Sequence, residues 1–264
     1  MSMIDDIIES RDVAMVWLDL DDTLQDFHAN SREALERLHG VAGLGRWFAT
    51  VEGWCECYMR HNRELWALYA AGATTKEALR RDRFVLPLID GGCPRDEAVA
   101  RWRELDTAYL DLLAQGRHMV EGAMELLGHL RDRGMPLGIL SNGFKEVQYR
   151  KIATAGIGGY FRHVVLSDDI GIQKPDSRIF DHAMGVAGYT DPSRMLMIGD
   201  NPVADIDGAT GAGWQAIYFN RAGLGDPRPG ITTVTSLFCL LETHGHRGPF
   251  RHKDIGLRDD VSMT

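Results

Sequence analysis

Residues 13–26 read VAMVWLDLDDTLQD: an apolar run from Val13 to Leu18 breaks off into Asp19, Asp21 and Asp22, with Asp26 close behind. A continuous apolar run of this length fits a central parallel strand buried on both faces. Crowding carboxylates at its end works against packing, because each close like-charge pair raises the cost of ionising its members. The strand therefore needs a sheet to sit in, and the acids need a positive partner.

Outward from this stretch the texture changes twice. From Asn30 to about Gly116 the patterns are helical, including RWFATVEGWCECYMRHNRELWALYAAG, TTKEALRRDRFVLPLI and PRDEAVARWRELDTAYLDLLAQG. In the last of these Pro94 suits a first helical turn, and Ala98, Trp102, Leu105, Tyr109 and Leu112 recur at helical spacing. Beyond it helices and short apolar strands alternate. The helix VEGAMELLGHLRDRG places Val120, Ala123, Met124, Leu127 and Leu130 on one face and leads to the strand PLGIL. A helix after SNGF, the strand HVVL, a helix over about 176–187, the strand RMLMIG, a helix over about 203–212 and the strand WQAIYF complete the series. Strands separated by helices imply right-handed crossovers and a parallel sheet covered on both faces. The expected fold is a doubly wound α/β core, Rossmann-like, interrupted by an all-helical cap. Residues 1–28 and 117–243 are assigned to the core, 29–116 to the cap and 244–264 to a polar tail. The tail's three histidines are read as solvated, since regular acidic or cysteine ligands do not accompany them.

The bulk properties narrow the function classes. The chain has 264 residues, 44% hydrophobic and 25% charged, within the ordinary globular range. A formal net charge of −9 argues against broad attraction to nucleic acid polymers or anionic membranes, so a phosphorylated ligand would be held by local charge. The N-terminal MSMIDDIIESRD lacks a signal peptide's basic and apolar regions, and no apolar run approaches the roughly 20 residues of a membrane span, so cytoplasm is the expected location. Cys55, Cys57, Cys93 and Cys239 form no CxxC pair and fit reduced thiols, with Cys55 and Cys57 read as helix packing.

Open α/β sheets bind ligands outside the carboxyl ends of their strands. Those ends carry Asp19-Leu20-Asp21-Asp22-Thr23, Ser141-Asn142-Gly143, Lys174-Pro175 after HVVL, and Asp200 followed by Asp205 and Asp207. Taken singly, each has a bland reading as turn, cap or solvated charge. Their joint placement at consecutive strand ends fits phosphoryl transfer through an aspartyl phosphate. In that chemistry the acids cradle a hard divalent ion, Mg²⁺ by preference, and a second carboxylate two residues after the nucleophile moves the proton. The lysine and hydroxyl neutralise and orient the phosphate oxygens, assisted by backbone N–H groups.

The residues at this point resemble the haloacid dehalogenase-like hydrolase superfamily. Its DxDxT motif stands as Asp19, Asp21 and Thr23, its strand-end hydroxyl as Ser141 in ILSNG, its lysine as Lys174 in GIQKP, and GDxxxxD as Gly199, Asp200 and Asp205. The resemblance, over roughly residues 13–240, implies Asp19 as nucleophile and metal ligand. It implies Asp21 as general acid and base, with its backbone carbonyl on the metal. Asp200 would be the remaining ligand, and Asp205 would support it. Leu20, Thr23, Ser141, Asn142, Gly143 and Lys174 would contact phosphate or substrate. Asp22 is read as a loop acid and Asp26 as a solvated residue. The insert resembles the superfamily's helical C1-type cap.

Within the superfamily, the cap and the stretch after Ser141 are similar to the pyrimidine 5'-nucleotidase branch at Asn62, Leu65, Trp66, Tyr69, Gly72, Phe84, Asn142, Gly143, Phe144 and Gln148. Packing at helical spacing accounts equally for Leu65, Trp66 and Tyr69, and core is the better reading of Trp47 and Trp54. The resemblance implies a nucleoside monophosphate as partner and a monomer or homodimer. The alternatives are a phosphatase of phosphoglycolate or a sugar phosphate, a 2-haloacid dehalogenase, which Asp21 argues against, and a non-catalytic binding module.

Overall fold

The computed structural model describes residues 1–223 and 228–243, so the expected tail at 244–264 lies outside the described residues. Six strands form one sheet: β1 (Met15–Leu18), β2 (Leu137–Ser141), β3 (His163–Leu166), β4 (Met195–Gly199), β5 (Gln215–Phe219) and β6 (Thr232–Val234). Their order is β3-β2-β1-β4-β5-β6, and every pairing is parallel. The chain winds outward from β1 to one side and then from β4 to the other. The order reverses between β1 and β4, which is where a doubly wound sheet opens a crevice at its carboxyl edge.

The expected central strand is there for the expected reason. All four residues of β1 are buried, with Val16 and Leu18 packed into the apolar cluster on one face of the sheet and Met15 and Trp17 into the cluster on the other. Alternate side chains of a strand point to opposite faces, so a strand covered on both sides must be apolar at every position.

Helix α1 (Met3–Ser10) precedes β1 and is closed by a capping box between Ser2 and Asp5. Between β1 and β2 lie α2 (Phe27–Val41), α3 (Val51–Ala70), α4 (Lys76–Asp90) and α5 (Arg95–Leu113). Thr50 and Thr75 cap α3 and α4 by accepting from the N–H groups of Gly53 and Ala78 at 3.1 and 3.2 Å. These four helices share an apolar cluster of their own, around Leu35, Trp54, Tyr58, Phe84, Leu105 and Tyr109, into which Phe144 and Val147 reach from beyond β2. Trp54 is fully buried there, and Trp47 packs at its margin. The remaining helices are α6 (Ala123–Asp132), α7 (Lys145–Thr154), α8 (Ser167–Ile170), α9 (Ser177–Val186) and α10 (Gly208–Gly211). No helix among the described residues is long and apolar enough to cross a membrane, and the four cysteines are free thiols.

Several local expectations are corrected. Met124 is 38% exposed, and Leu126 takes the buried place on α6 beside Ala123, Leu127 and Leu130. Pro94 stands at the N-cap of α5, one position before its first turn. The helix expected over 203–212 begins as a π-helical turn over Pro202–Asp207 and continues as the short α10. Asp26 is not a solvated residue: it caps α2 by accepting from Ala29 N–H at 2.9 Å and pairs with Arg221 at 2.8 Å. That hydrogen bond to Arg221 and the cap hold its pKa below the usual carboxylate value against the opposing effect of burial. Helix α1 and strand β6 go unanticipated. The first was read only for targeting features, and the second is three residues long, too short to show alternation.

Candidate active site

The carboxyl ends of β1 and β4 lie side by side, because Asp19 N–H continues the ladder by donating to Ile198 C=O at 3.0 Å. Asp19 therefore stands next to Asp200, and carboxylate oxygens of Asp19, Asp200 and Asp205 all lie within 4.8 Å of one another. Lys174 comes to the same point from the loop after β3. Its Nζ donates to Asp19 Oδ1, Asp205 Oδ1 and the Leu140 carbonyl, each at 2.6 Å, and the residue is 2% exposed. A buried ammonium has three protons to place, and here all three have acceptors.

The neighbours of this cluster hold it from outside. Thr23 Oγ1, fully buried in the turn after β1, donates to Asp200 Oδ1 at 3.1 Å. Asp205 Oδ2 accepts from Asn201 N–H at 3.0 Å, so both its oxygens are engaged within the protein. Gly199 makes this approach possible: a Cβ at that position would lie 2.3 Å from Asp205 Oδ2. Asn142 grips the backbone of Lys174 at two points, donating through Nδ2 to its carbonyl and accepting from its N–H, both at 2.9 Å. Its side chain thus positions the lysine, and a direct role on phosphate would fall to its backbone.

Asp21 faces a second group. Its Oδ2 accepts from Gln148 Nε2 at 2.8 Å, and its Oδ1 pairs closely with Lys151 Nζ. Gln148 also donates to Ser141 Oγ at 2.8 Å, and Lys151 donates to Gln148 Oε1 at 2.9 Å. The end of β1, the end of β2 and the buried face of α7 are thereby tied together. Gly143 lies against Gln148, where a Cβ would come within 2.1 Å of its side chain. Leu20 is fully buried, and its carbonyl accepts from the N–H groups of Leu24 and Gln25, closing the turn that carries Asp21 and Asp22. Asp22 sits at φ 58° in that turn and pairs with His28 at 2.9 Å.

The electrostatics of the acid cluster are strained. Burial, reinforced by Asp205 and Asp21 and opposed by Lys174, pushes the Asp19 carboxyl up to about 7. Burial, Asp19 and Asp205 push Asp200 up to about 8. One ammonium does not neutralise three carboxylates, two of them buried and one half-buried, and the donors left facing the crevice are hard oxygens of Asp19 and Asp200. That donor set fits a small divalent cation such as Mg²⁺ and offers nothing to a soft metal.

Beside Asp21 a cavity of about 200 Å³ runs under the helical segment, walled by Phe27, Trp66, Tyr109 and Phe144 and reached by Asn62 and Arg83. Trp66 and Phe144 stack with centroids 4.9 Å apart. Of the residues singled out in the helical segment, Asn62 and Trp66 line this cavity, Leu65 and Phe84 are buried in the apolar cluster, and Tyr69 packs edge-on to Trp66. Gly72 lies at the exposed end of α3. A larger, more open cleft of about 950 Å³ also reaches Asp200, between Asp22, Asp26, His28, Arg63 and Arg221.

Reading the sequence missed Lys151, Arg83 and Asp106. Lys151 follows Gln148 by three residues on α7, a spacing that puts both on one face. Arg83 and Asp106 adjoin the apolar positions Phe84 and Leu105, a phase at which a charge is buried unless the pattern breaks. Arg83 Nη2 and Arg80 Nη2 both reach Asp106, at 2.5 Å each.

A family model described as haloacid dehalogenase-like hydrolase matches residues 13–213, which span all of the strand-end residues described above. The chain belongs to the haloacid dehalogenase-like hydrolase family. Within it, the chain is 30% identical over 241 residues to pyrimidine 5'-nucleotidase YjjG of Escherichia coli, covering 86% of this chain and 94% of that protein. It is 33% identical over 230 residues to phosphoserine phosphatase of Thermus thermophilus, covering 78% and 88%. Its fold matches that of the HAD-hydrolase YfnB of Bacillus subtilis, solved bound to magnesium, with a TM-score of 0.74 and 25% identity over 86% of this chain and 96% of that one.

Proposed function

We propose that this haloacid dehalogenase-like hydrolase is a Mg²⁺-dependent phosphomonoesterase that works through an aspartyl phosphate and acts on pyrimidine nucleoside 5'-monophosphates. The observation that carries the phosphatase reading is the junction of β1 and β4. There Asp19 stands beside Asp200 with Lys174 bound to it, and Asp21, two residues on, faces the adjoining cavity. Asp19 and Asp200, with the Asp21 backbone carbonyl, would hold the ion. Mg²⁺ bound there would lower the repulsion between the attacking carboxylate and the anionic phosphate.

Asp19 attacks phosphorus through the oxygen that Lys174 leaves free, and the bond from phosphorus to the ester oxygen breaks. Asp21, held in place by Gln148 and Lys151, gives a proton to the departing alkoxide. It then takes one from the water that cleaves the aspartyl phosphate, which releases inorganic phosphate and restores Asp19. Ser141, Gly143 and Lys174 orient the phosphate oxygens, with Asn142 fixing the lysine's backbone. Asp21 separates this reading from a dehalogenase, whose ester intermediate requires no acid to protonate a leaving alkoxide.

We further propose that residues 29–116 act as a cap over this site. The cavity beneath it supports a nucleotide. Its walls are aromatic, and at about 200 Å³ it falls below the roughly 300–1,000 Å³ of drug-sized pockets, room for one flat ring. A phosphoserine leaving group carries an ammonium and a carboxylate, and the charge of Arg83, which lines this cavity, is already balanced by Asp106. Hydrolysis of p-nitrophenyl phosphate with Mg²⁺ and with EDTA tests the mechanism; activity that survives chelation would overturn it. A phosphate-release screen across nucleoside monophosphates, sugar phosphates, phosphoserine and phosphoglycolate tests the substrate, and a clear preference outside nucleotides would overturn that part alone.

A further inference from the structure

In the helical segment three side chains of different chemistry meet. Cys57 and His61 stand four residues apart on α3, a spacing that puts them on one face of the helix, and Asp90 is the last residue of α4. His61 Nε2 lies 2.8 Å from Asp90 Oδ2 and Cys57 Sγ 3.8 Å from the same oxygen, and the three ligand atoms all fall within 4.8 Å of one another. A thiolate, an imidazole and a carboxylate placed tetrahedrally round Zn²⁺ at its usual bond lengths are about 3.3–3.6 Å apart. Small side-chain rotations therefore close the set. Cys55, Glu56, Met59 and Arg63 of the same helix line the cleft that reaches Asp200. At about 100° per residue their mean direction is roughly opposite to that of Cys57 and His61, so the cluster faces away from that cleft.

A guanidinium already sits at the focus of these atoms. Arg60 Nη2 is 2.6 Å from Asp90 Oδ2, 3.3 Å from His61 Nε2 and 3.7 Å from Cys57 Sγ. One positive nitrogen close to all three means that they converge on a single point and that the point favours positive charge. The Arg60 side chain is 52% exposed and free to swing into water, whereas His61 is largely covered at 14%. A hydrogen bond from His61 holds the Asp90 carboxyl below its usual value, so this ligand is ionised at neutral pH. Burial pushes Cys57 up to about 11 and keeps it a thiol until a metal takes the place of its proton. We propose that Cys57, His61 and Asp90 form a zinc site, in which Zn²⁺ displaces Arg60, Cys57 gives up its proton to water and a solvent oxygen takes the fourth position. Sulfur and imidazole donors suit Zn²⁺ and not Mg²⁺, the reverse of the all-oxygen set at Asp19 and Asp200. The connection between α3 and α4 runs over residues 71–75, and the ion would staple this helical hairpin at its other end.

The test titrates the full chain with Co²⁺ and then with Zn²⁺, in a thiol-free reductant and excess Mg²⁺. Thiolate bound to Co²⁺ gives a near-ultraviolet charge-transfer absorption that an all-oxygen site cannot give, so cobalt entering beside Asp19 is silent in this signal. One equivalent of Co²⁺ is expected to develop the band and one of Zn²⁺ to abolish it. Cys57→Ser should remove the band and Cys55→Ser should keep it, while His61→Ala should weaken Co²⁺ by more than the roughly 10–100-fold that an outer-shell change costs. Arg60→Met should bind Co²⁺ about fivefold tighter, because an exposed ion pair no longer has to be broken. A wild type without the band would overturn the proposal before any variant has to fold, and a band that survives Cys57→Ser would overturn it as well. Zn²⁺ should also raise the melting temperature of the wild type more than that of Cys57→Ser, and equal shifts would overturn the staple. None of these readouts depends on turnover, and the site shares no residue with the strand-end cluster, so the phosphatase reading stands or falls separately.

Discussion

Two buried cations mark the two halves of this molecule, and they are wired differently. Lys174, at the strand edge of the core, has an acceptor for every proton: Asp19, Asp205 and the Leu140 carbonyl. Arg83, in the helical segment, shares Asp106 with Arg80, donates to it through Nη2 alone and keeps its Nε–H buried without a partner. The first arrangement is closed upon itself, which suits the proposed task of holding Asp19 in one orientation. The second is open: Asp106 takes only part of the guanidinium's hydrogen-bonding capacity. Under the proposed function, chemistry common to many phosphate esters would belong with the closed site, and choice among them with the helical segment.

The sharpest way to break this contrast is at Asp19, the proposed nucleophile. Asp19→Asn is expected to lower kcat by about 10³-fold or more while the far-ultraviolet circular dichroism is kept, because an amide cannot attack phosphorus. A variant with wild-type turnover would remove the core site from the account. Lys174→Met comes next. It leaves Asp19 and Asp205 buried beside each other without their cation, and a loss of about 3–5 kcal/mol is expected in urea denaturation, together with a fall in kcat/KM. Arg83→Met should cost less, about 1–2 kcal/mol, because Asp106 retains Arg80 and one orphaned donor disappears with the arginine. If the two losses in urea were equal, the distinction between closed and open clusters would be empty.

The smallest effect lies at the junction of the halves. Asp26→Ala removes the cap of α2 and the partner of Arg221, and a loss of about 1 kcal/mol is expected by thermal melting. The folded pKa of Asp26 is depressed below its ordinary 3.8. Its contribution is therefore full above that value and lost as pH falls through the folded one. The difference in melting temperature between wild type and variant should accordingly shrink in acid.

What the sequence made legible follows the same division. Strand ends are fixed by short apolar runs, so Asp19, Ser141, Lys174 and Asp200 announce their neighbourhood even though some 180 residues separate the first from the last. The covered sheet explains why: each run has one register in which all its members are buried. Within helices the pattern says only which face is inside. Met124 and Leu126 exchange places on α6 because both lie near the edge of the apolar arc, and Asp106 passes unnoticed because its neighbours Leu105 and Tyr109 supply an adequate hydrophobic phase without it. Lys151 is hidden for a further reason. A lysine in the run Tyr149-Arg150-Lys151 reads as solvent-facing until Asp21, 130 residues away, is known to meet it. Partnerships between buried charges are a property of the assembled fold, and a single chain read along its length carries no pairwise information about them.

The clasp of Asn142 on the backbone of Lys174 bears on how the site moves. Two hydrogen bonds between one side chain and the N–H and C=O of one residue tie the turn after β2 to the loop before Pro175. A displacement of either loop then carries the lysine and the Ser141 hydroxyl together, so that the groups proposed to meet phosphate keep their spacing. The spacing of Ser141 and Lys174 is thereby set by a hydrogen-bonded clasp as well as by the sheet itself.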